Sequence, residues 1–139
     1  MSSGRPSRPL AVEGAENRHS VTVEVEPAYL EAQSEPDQHR YAFSYTVTLR
    51  NAGRVAARLL TRHWLIVDGN GEEREVHGEG VVGEHPYLRP GETFRYTSGA
   101  VLKTPLGSMR GHYTLRGDDG VLFEAEIPVF TLAIPNTLH

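Results

Sequence analysis

The residues best suited to chemistry in this sequence form a glycine-rich motif. It matches the pattern G-x-G-x-x-G and reads Gly78, Glu79, Gly80, Val81, Val82, Gly83. In a dinucleotide-binding fold these glycines lead into a helix whose N-terminus holds a pyrophosphate, and an acidic residue follows about twenty positions later. Pro86 and Pro90 exclude such a helix, and no Asp or Glu occurs at 93–116. We therefore expect the glycines to shape a bulged transition from strand to loop, and leave open a nucleotide or pyrophosphate bound by a non-Rossmann loop.

The carboxylate-free segment at 93–116 is unusual in a chain of net charge −4. Its basic side chains and its histidine are Arg95, Lys103, Arg110, Arg116 and His112. Charges on a sheet surface are usually paired or solvated, so we expect acids on neighbouring strands, such as Glu124 and Glu126, to neutralise them. The alternative is a locally positive surface that receives an anion.

Motifs of catalysis are missing from the sequence. There is no G-x-S-x-G elbow, no H-E-x-x-H and no phosphate-binding G-x-x-x-x-G-K-[ST] loop, so we expect neither enzymatic activity nor a cofactor. The histidines raise the question of a metal site, above all at His77, Glu79, Glu84 and His85. Their spacing follows no known ligand motif. We accordingly predict that the purified protein holds neither cobalt nor magnesium at a defined stoichiometry.

Length and composition are those of an ordinary globular domain. The chain has 139 residues, of which 38% are hydrophobic and 23% charged, enough for one real core. Its net negative charge argues against nucleic acid and anionic membranes as partners. The absence of cysteine and of long apolar stretches favours a cytoplasmic location. We predict a disordered tail at 1–18, rich in Ser, Gly, Pro, Arg and Glu, followed by a single domain at 19–139.

Alternation of apolar and polar residues predicts strands through the rest of the chain. The predicted strands cover 21–26, 41–50, 59–68, 72–77, a short segment at 93–97, 108–116 and 121–134. Pro27 is expected to close the first strand, and Pro128 places the last one at a sheet edge or beside a bulge. Residues 99–107 are predicted to form a loop. Seven strands separated by turn residues predict an antiparallel β-sandwich, with a core that includes Trp64, Phe43, Tyr45 and Phe123.

A series of short motifs makes residues 21–139 resemble a known family. The motifs are G-E-G-V-V-G at 78–83, L-R-P-G at 88–91, Y-T-S-G-A at 96–100, T-P-L-G-S-M-R-G-H-Y at 104–113 and I-P-V-F at 127–130. Their order and intervals resemble the ApaG family. The resemblance implies a fibronectin type III-like or immunoglobulin-like sandwich. It also implies kinship with modules that serve in protein contacts within larger eukaryotic proteins, among them some F-box proteins and a polymerase-interacting protein, and a link to cobalt resistance and magnesium efflux.

Two classes of function remain open at this point. In the first, which we favour, the loops at 78–88 and 99–107 bind a partner protein through apolar contacts made by Val81, Val82, Tyr87, Val101 and Leu102. In the second, the same loops bind a nucleotide, a phosphate anion or a divalent cation. A contiguous exposed apolar patch would favour the first class. A cleft of convergent backbone amides beside Lys103 or Arg95 would favour the second.

Overall fold

A computed structural model describes residues 18–135 and consists of two antiparallel β-sheets packed face to face. The strands are β1 (Val21–Tyr29), β2 (Tyr41–Asn51), β3 (Ala57–Asp68), β4 (Glu73–Glu79), β5 (Tyr87–Leu88), β6 (Thr93–Leu102), β7 (Leu106–Gly117) and β8 (Leu122–Ala133). One sheet has the order β1-β2-β6, and the other has the order β4-β3-β7-β8, with β5 paired to β3. The predicted antiparallel β-sandwich is confirmed. Residues 1–17 of the predicted tail lie outside the described part of the chain.

Helical structure in the described region is slight. Between β1 and β2 the chain makes two 3-10 turns, Glu31–Gln33 and Pro36–Gln38. Within residues 18–135, no helix has the length and apolar character needed to cross a membrane. The connection between β1 and β2 covers 30–40. It is shorter than the 27–40 left between the predicted strands, and the two turns order part of it.

Inward-facing side chains of the two sheets form one core. Phe43, Tyr45 and Trp64 are 1%, 6% and 2% exposed, and the rings of Tyr45 and Trp64 meet edge to face at 5.1 Å. These three predictions are confirmed. Phe123 was expected to be buried too, but it is only partly buried and packs at the margin of the core, its ring 5.2 Å from that of His19. Phe123 is the second residue of β8, whereas Ile127 and Leu132, farther along the same strand, are 1% and 0% exposed. Its partial exposure therefore reflects its place at the end of the strand.

The two prolines that we expected to limit strands behave differently. Pro27 does not end β1, which continues to Tyr29 with Pro27 in register opposite Tyr45. The prediction was wrong because β1 is an edge strand, where a residue without an N–H group can face solvent at no cost to the ladder. Pro128 follows the prediction, since β8 is an edge strand and its register with β7 shifts beside this residue.

The predicted loop at 99–107 is largely strand. β6 continues to Leu102 and β7 begins at Leu106, with Gly99 and Ala100 paired to β2. Small residues have low intrinsic strand propensity, but the ladder and the neighbouring side chains override it here. The small residues of β6 form one wall of a groove between the two sheets.

Candidate functional site

The glycine motif closes a tight reverse turn at the end of β4. Val81 and Glu84 exchange two backbone hydrogen bonds of 2.8 Å. Between them, Val82 and Gly83 have φ angles of 43° and 79°, as in a type I′ turn. Gly83 adopts this conformation freely, whereas a β-branched valine is strained there. The motif thus makes a hairpin turn and not the start of a helix.

The amides of this turn are largely used within the protein. Gly80 donates its N–H to the carbonyl of Leu60 at 2.8 Å, and Val81 and Glu84 donate to each other. A phosphate-binding loop needs N–H groups that are free to converge on the anion. Gly80 also has a φ of 59°, and a Cβ there would collide with the carbonyl oxygen of Glu84. Backbone geometry accounts for this glycine.

Gly78 serves a side chain on the neighbouring strand. It lies opposite Arg62 in the ladder between β3 and β4, and an added Cβ would lie 2.5 Å from the guanidinium carbon. The Arg62 guanidinium donates to the carbonyls of Glu79 and Gly80 at 2.9 and 2.8 Å. The motif therefore leaves room for one arginine and holds it in place.

A groove of about 470 Å³ runs between the two sheets where the edge strands β4 and β6 face each other. Its floor is mainly aromatic and apolar, and consists of Phe43, Tyr45, Trp64, Ile66 and Met109. Its wall on β6 consists of Val101 and the small residues Ser98, Gly99 and Ala100. Tyr96 and Leu102, on either side of this wall, are buried in the core. The small residues leave the space that larger side chains would fill.

Three arginines, Arg40, Arg62 and Arg74, line this groove, and none of its described lining residues is acidic. We call it the arginine groove. None of the three forms an ion pair with a carboxylate in the part of the chain that the structure describes. Arg74 donates to the carbonyl of Val101 at 2.7 Å and so ties β4 to β6. The groove is locally positive in a protein of net charge −4, and guanidinium groups suit anions.

The arginine groove continues into a second depression of about 350 Å³. The two share Arg40, Arg74 and Val101, and the second adds Lys103. Lys103 lies 3.4 Å from Glu72, which offsets part of its charge. Together the two depressions form an elongated, predominantly basic surface.

A buried pair of tyrosines lies near Arg62. The hydroxyls of Tyr96 and Tyr113 are hydrogen-bonded to each other, and both side chains are buried. Burial raises the pKa of Tyr96 to about 12, although the hydrogen bond from Tyr113 and the charge of Arg62 oppose the rise. The pKa of Tyr113 is also raised, first by burial and then by Tyr96. Both hydroxyls therefore stay neutral at physiological pH.

The two cationic residues proposed from sequence to contact a ligand both form ion pairs. Arg95 lies 3.3 Å from Glu26, and Lys103 lies 3.4 Å from Glu72. Neither acid lies on a strand paired with that of its partner, so these two pairs differ from the expected cross-strand neutralisation. The expected contact with an acid of β8 is found for His112, which lies 3.5 Å from Glu124. The cations that line the groove without an ion-pair partner among the described residues are instead Arg40, Arg62 and Arg74, which sequence reasoning missed.

The five apolar residues proposed as contacts fall into separate environments. Val81 and Leu102 are 1% and 0% exposed, so the expectation that they touch a partner was wrong. Val82 is 53% exposed at the tip of the turn. Tyr87 is half-buried and donates its hydroxyl hydrogen to Asp118 at 2.6 Å. Of the five, only the side chain of Val82 therefore projects freely into solvent. Val101 is part of the groove wall.

Exposed apolar side chains are distributed over several elements of the described surface. The large ones are Val76, Val82, Leu106, Val121, Leu122 and Val129. They come from β4, the turn after it, the start of β7, the turn before β8, and β8 itself. Apolar contacts alone therefore do not locate a binding surface in the described region.

The four residues considered from sequence as metal ligands do not come together. The donor group that the described residues form is His63, Glu75 and His77, whose ligand atoms lie within 4.8 Å of one another. His85 instead donates to the carbonyl of Leu59 at 3.1 Å. Asp68-Gly69-Asn70-Gly71 is a recognisable hairpin-turn sequence. The register that this turn sets, with His63 opposite His77, was the signal that could have found the pair.

Comparison with known proteins gives a consistent result over most of the chain. The sequence pattern of the ApaG domain family matches residues 31–117. Protein ApaG of Escherichia coli (strain K12 / DH10B) is 54% identical over 123 residues, covering 88% of this chain and 98% of that protein. A crystal structure from Bordetella pertussis, of a protein provisionally named ApaA, has a TM-score of 0.85 and 49% identity, covering 87% of this chain and 98% of its own. A second X-ray structure has a TM-score of 0.82 and 50% identity, covering 86% of this chain and 91% of its own.

Proposed function

The chain belongs to the ApaG domain family, and from this premise we propose that it is a non-catalytic binding module whose arginine groove receives an acidic, extended segment of a partner protein. The observation that carries the proposal is the set of Arg40, Arg62 and Arg74 around an apolar floor, with no acidic residue among the described lining. Guanidinium groups bind carboxylates through paired, charge-assisted hydrogen bonds. Glutamate and aspartate side chains are therefore their natural complement.

The shape of the basic surface favours a polypeptide over a compact anion. The groove runs between two edge strands and continues past Arg40 and Arg74 to Lys103. In an extended segment, alternate side chains point the same way. One set can lie against the floor at Trp64 and Ile66, while the other set meets the arginines.

A small anionic ligand is the second candidate, supported by the size of the groove. Its volume of about 470 Å³ falls within the roughly 300–1,000 Å³ of small-molecule sites. Tyr45 and Trp64 in its floor offer aromatic surface to a base. In this version a nucleotide or pyrophosphate binds in the arginine groove, and not on the amides of the glycine turn.

Trp64 provides a direct readout, because it is the only tryptophan in the chain and lies in the groove floor. We would titrate the full-length protein with a peptide of alternating glutamate and leucine, its lysine counterpart, ATP and pyrophosphate. We expect the acidic peptide alone to change the Trp64 fluorescence saturably, and the affinity to fall with added salt. Saturation by ATP or pyrophosphate, without an effect of the peptide, would favour the small-ligand alternative.

Charge-removing variants test whether the groove is the binding site. The double variant Arg40→Gln with Arg74→Gln should bind the acidic peptide at least about tenfold more weakly, about 1.4 kcal/mol. Arg116→Gln is the matched control, since Arg116 is an exposed arginine of β7 outside the groove. Equal affinity in the double variant and the control would contradict the proposal.

A further inference from the structure

A row of imidazole side chains crosses the sheet that contains β3, β4 and β7. His63 is the direct cross-strand partner of His77 on β4 and of His112 on β7. The rings of His63 and His77 are stacked with centroids 4.2 Å apart, and those of His63 and His112 meet at 5.0 Å. The neighbouring residue Trp64 points into the core, so the histidines lie on the opposite, outer face.

Glu75 adds a carboxylate to this row. Its Oε2 atom lies 3.0 Å from Nε2 of His63, and the ligand atoms of His63, Glu75 and His77 lie within 4.8 Å of one another. A bound zinc ion would draw these atoms closer, since each would lie about 2.0–2.2 Å from it. The side chains of His63 and Glu75 are 24% and 61% exposed, so both reach solvent, where they can change rotamer around an ion.

The charges around the row favour a cation. Glu124 lies 3.5 Å from His112, and Glu126 is the cross-strand partner of His112 on β8. Arg110 lines the same depression as Glu75 and Glu126 and opposes part of this field. Arg62 and Glu79 line a second depression that contains the histidines of the row. The carboxylates still outnumber the two arginines beside the row, which supports binding of a divalent ion.

We propose that His63, Glu75 and His77, with His112 as an additional donor, bind a divalent transition metal such as Zn²⁺. Two or three imidazole nitrogens with one carboxylate suit Zn²⁺, Ni²⁺ or Cu²⁺, whereas Mg²⁺ prefers oxygen ligands alone. A bound ion would join the edge strand β4 to its neighbours. The site departs from the expectation, drawn from spacing along the sequence, that the protein binds no metal. It lies on the face opposite the arginine groove and does not depend on the proposed peptide binding.

Isothermal titration of the full-length protein with Zn²⁺ at neutral pH tests the site, with Mg²⁺ in a parallel titration. We expect saturable binding of Zn²⁺ at one ion per chain and none of Mg²⁺. Metal ions compete with protons for imidazole nitrogens, so Zn²⁺ binding should weaken when the pH is lowered to about 5.5. No saturable Zn²⁺ binding at neutral pH would overturn the proposal.

Variants locate the ion. His77→Ala and Glu75→Gln, both at exposed positions of β4, should each weaken Zn²⁺ binding by about tenfold or more. His39→Asn is the matched control, since His39 is an exposed histidine with a φ of 55° that asparagine tolerates; it should bind Zn²⁺ like wild type. Circular dichroism confirms that each variant is folded. Zn²⁺ affinity of His77→Ala equal to that of His39→Asn would contradict the assignment.

Discussion

The glycine arm at 78–88 and the arginine groove meet at Arg62, but they satisfy their polar groups in opposite ways. In the arm, the amides of Gly80, Val81 and Glu84 all donate to backbone carbonyls. In the groove, the three arginines have no ion-pair partner among the described residues. Of their guanidinium groups, only those of Arg62 and Arg74 donate hydrogen bonds within the described region, to carbonyl oxygens. A segment whose donors are already used is suited to positioning, whereas one with uncompensated charge is suited to binding.

The contact between the two regions explains why a glycine motif stands beside a basic groove. Gly78 gives the Arg62 guanidinium its space, and the carbonyls of Glu79 and Gly80 orient it. Holding an arginine in one rotamer reduces the entropy lost when an anion binds. In the function that we propose, the arm positions Arg62 for the bound segment and does not contact that segment itself.

Replacing Gly80 should have the largest effect on stability, and it separates backbone strain from steric collision. Gly80→Ala places a side chain at a φ of 59° and against the Glu84 carbonyl, which should cost roughly 2–4 kcal/mol. At Gly83, with a φ of 79°, an added Cβ meets no atom within 4 Å, so Gly83→Ala should cost only about 1 kcal/mol. Urea denaturation of both variants measures the difference. Equal losses would show that the Glu84 contact is unimportant.

Alkaline pH should lower the free energy of unfolding through the buried Tyr96, which lies beside the groove and outside the glycine arm. The pKa of Tyr96 is raised from 10.0 to about 12, so its neutral form is favoured in the folded state. Its contribution is complete below pH 10 and is lost as the pH rises to about 12, on the order of 2 kcal/mol. Tyr96→Phe should flatten this dependence in urea denaturation between those pH values. An unchanged slope in the variant would refute the assignment to Tyr96.

Gly78→Ala should weaken peptide binding more than it lowers the stability of the fold. Because the added methyl group would meet the flexible end of Arg62, the guanidinium can move aside at small cost in stability. The displaced arginine should weaken binding of the acidic peptide by up to about tenfold, about 1.4 kcal/mol. Peptide titration and thermal melting of the same sample measure both effects. A variant that melts well below wild type but binds the peptide normally would break the proposed link between arm and groove.

Replacing the turn residue Val82 should have the smallest effect on stability, and it should stabilise the fold. Asparagine is favoured over valine at the first central position of a type I′ turn, and Val82 has a φ of 43°. Val82→Asn should therefore stabilise the fold by up to about 1 kcal/mol, as measured by thermal melting, and leave peptide binding unchanged. Loss of binding in this variant would indicate that the exposed valine itself contacts the partner.

The sandwich could be predicted from the sequence because alternation and turn residues are local signals. Where the prediction was wrong, tertiary context prevailed. Pro27 is accepted in β1 because the strand lies at an edge, and Gly99 and Ala100 are held in β6 by the ladder with β2. Neither the edge position nor the ladder partner is encoded in the residue itself.

The binding surfaces could not be predicted in the same way. Arg40 lies in the connection before β2, Arg62 on β3 and Arg74 on β4. Their common groove exists only because small residues of β6 leave it open. The glycine motif attracted attention because its spacing is recognisable along the chain, yet its role is conformational. Of the histidine row, His63 and His77 could have been paired from the turn between their strands, whereas the place of His112 requires the order of strands in the sheet.

Amide and side-chain NMR of the protein during titration with the acidic peptide tests the central claim most directly, because it observes both regions at once. The account predicts chemical-shift changes at the Trp64 indole, at Ala100 and Val101, and at the Arg62 side chain, with little change at Val82 and Gly83. Shift changes confined to Val82 and Gly83, with the groove resonances unmoved, would contradict it.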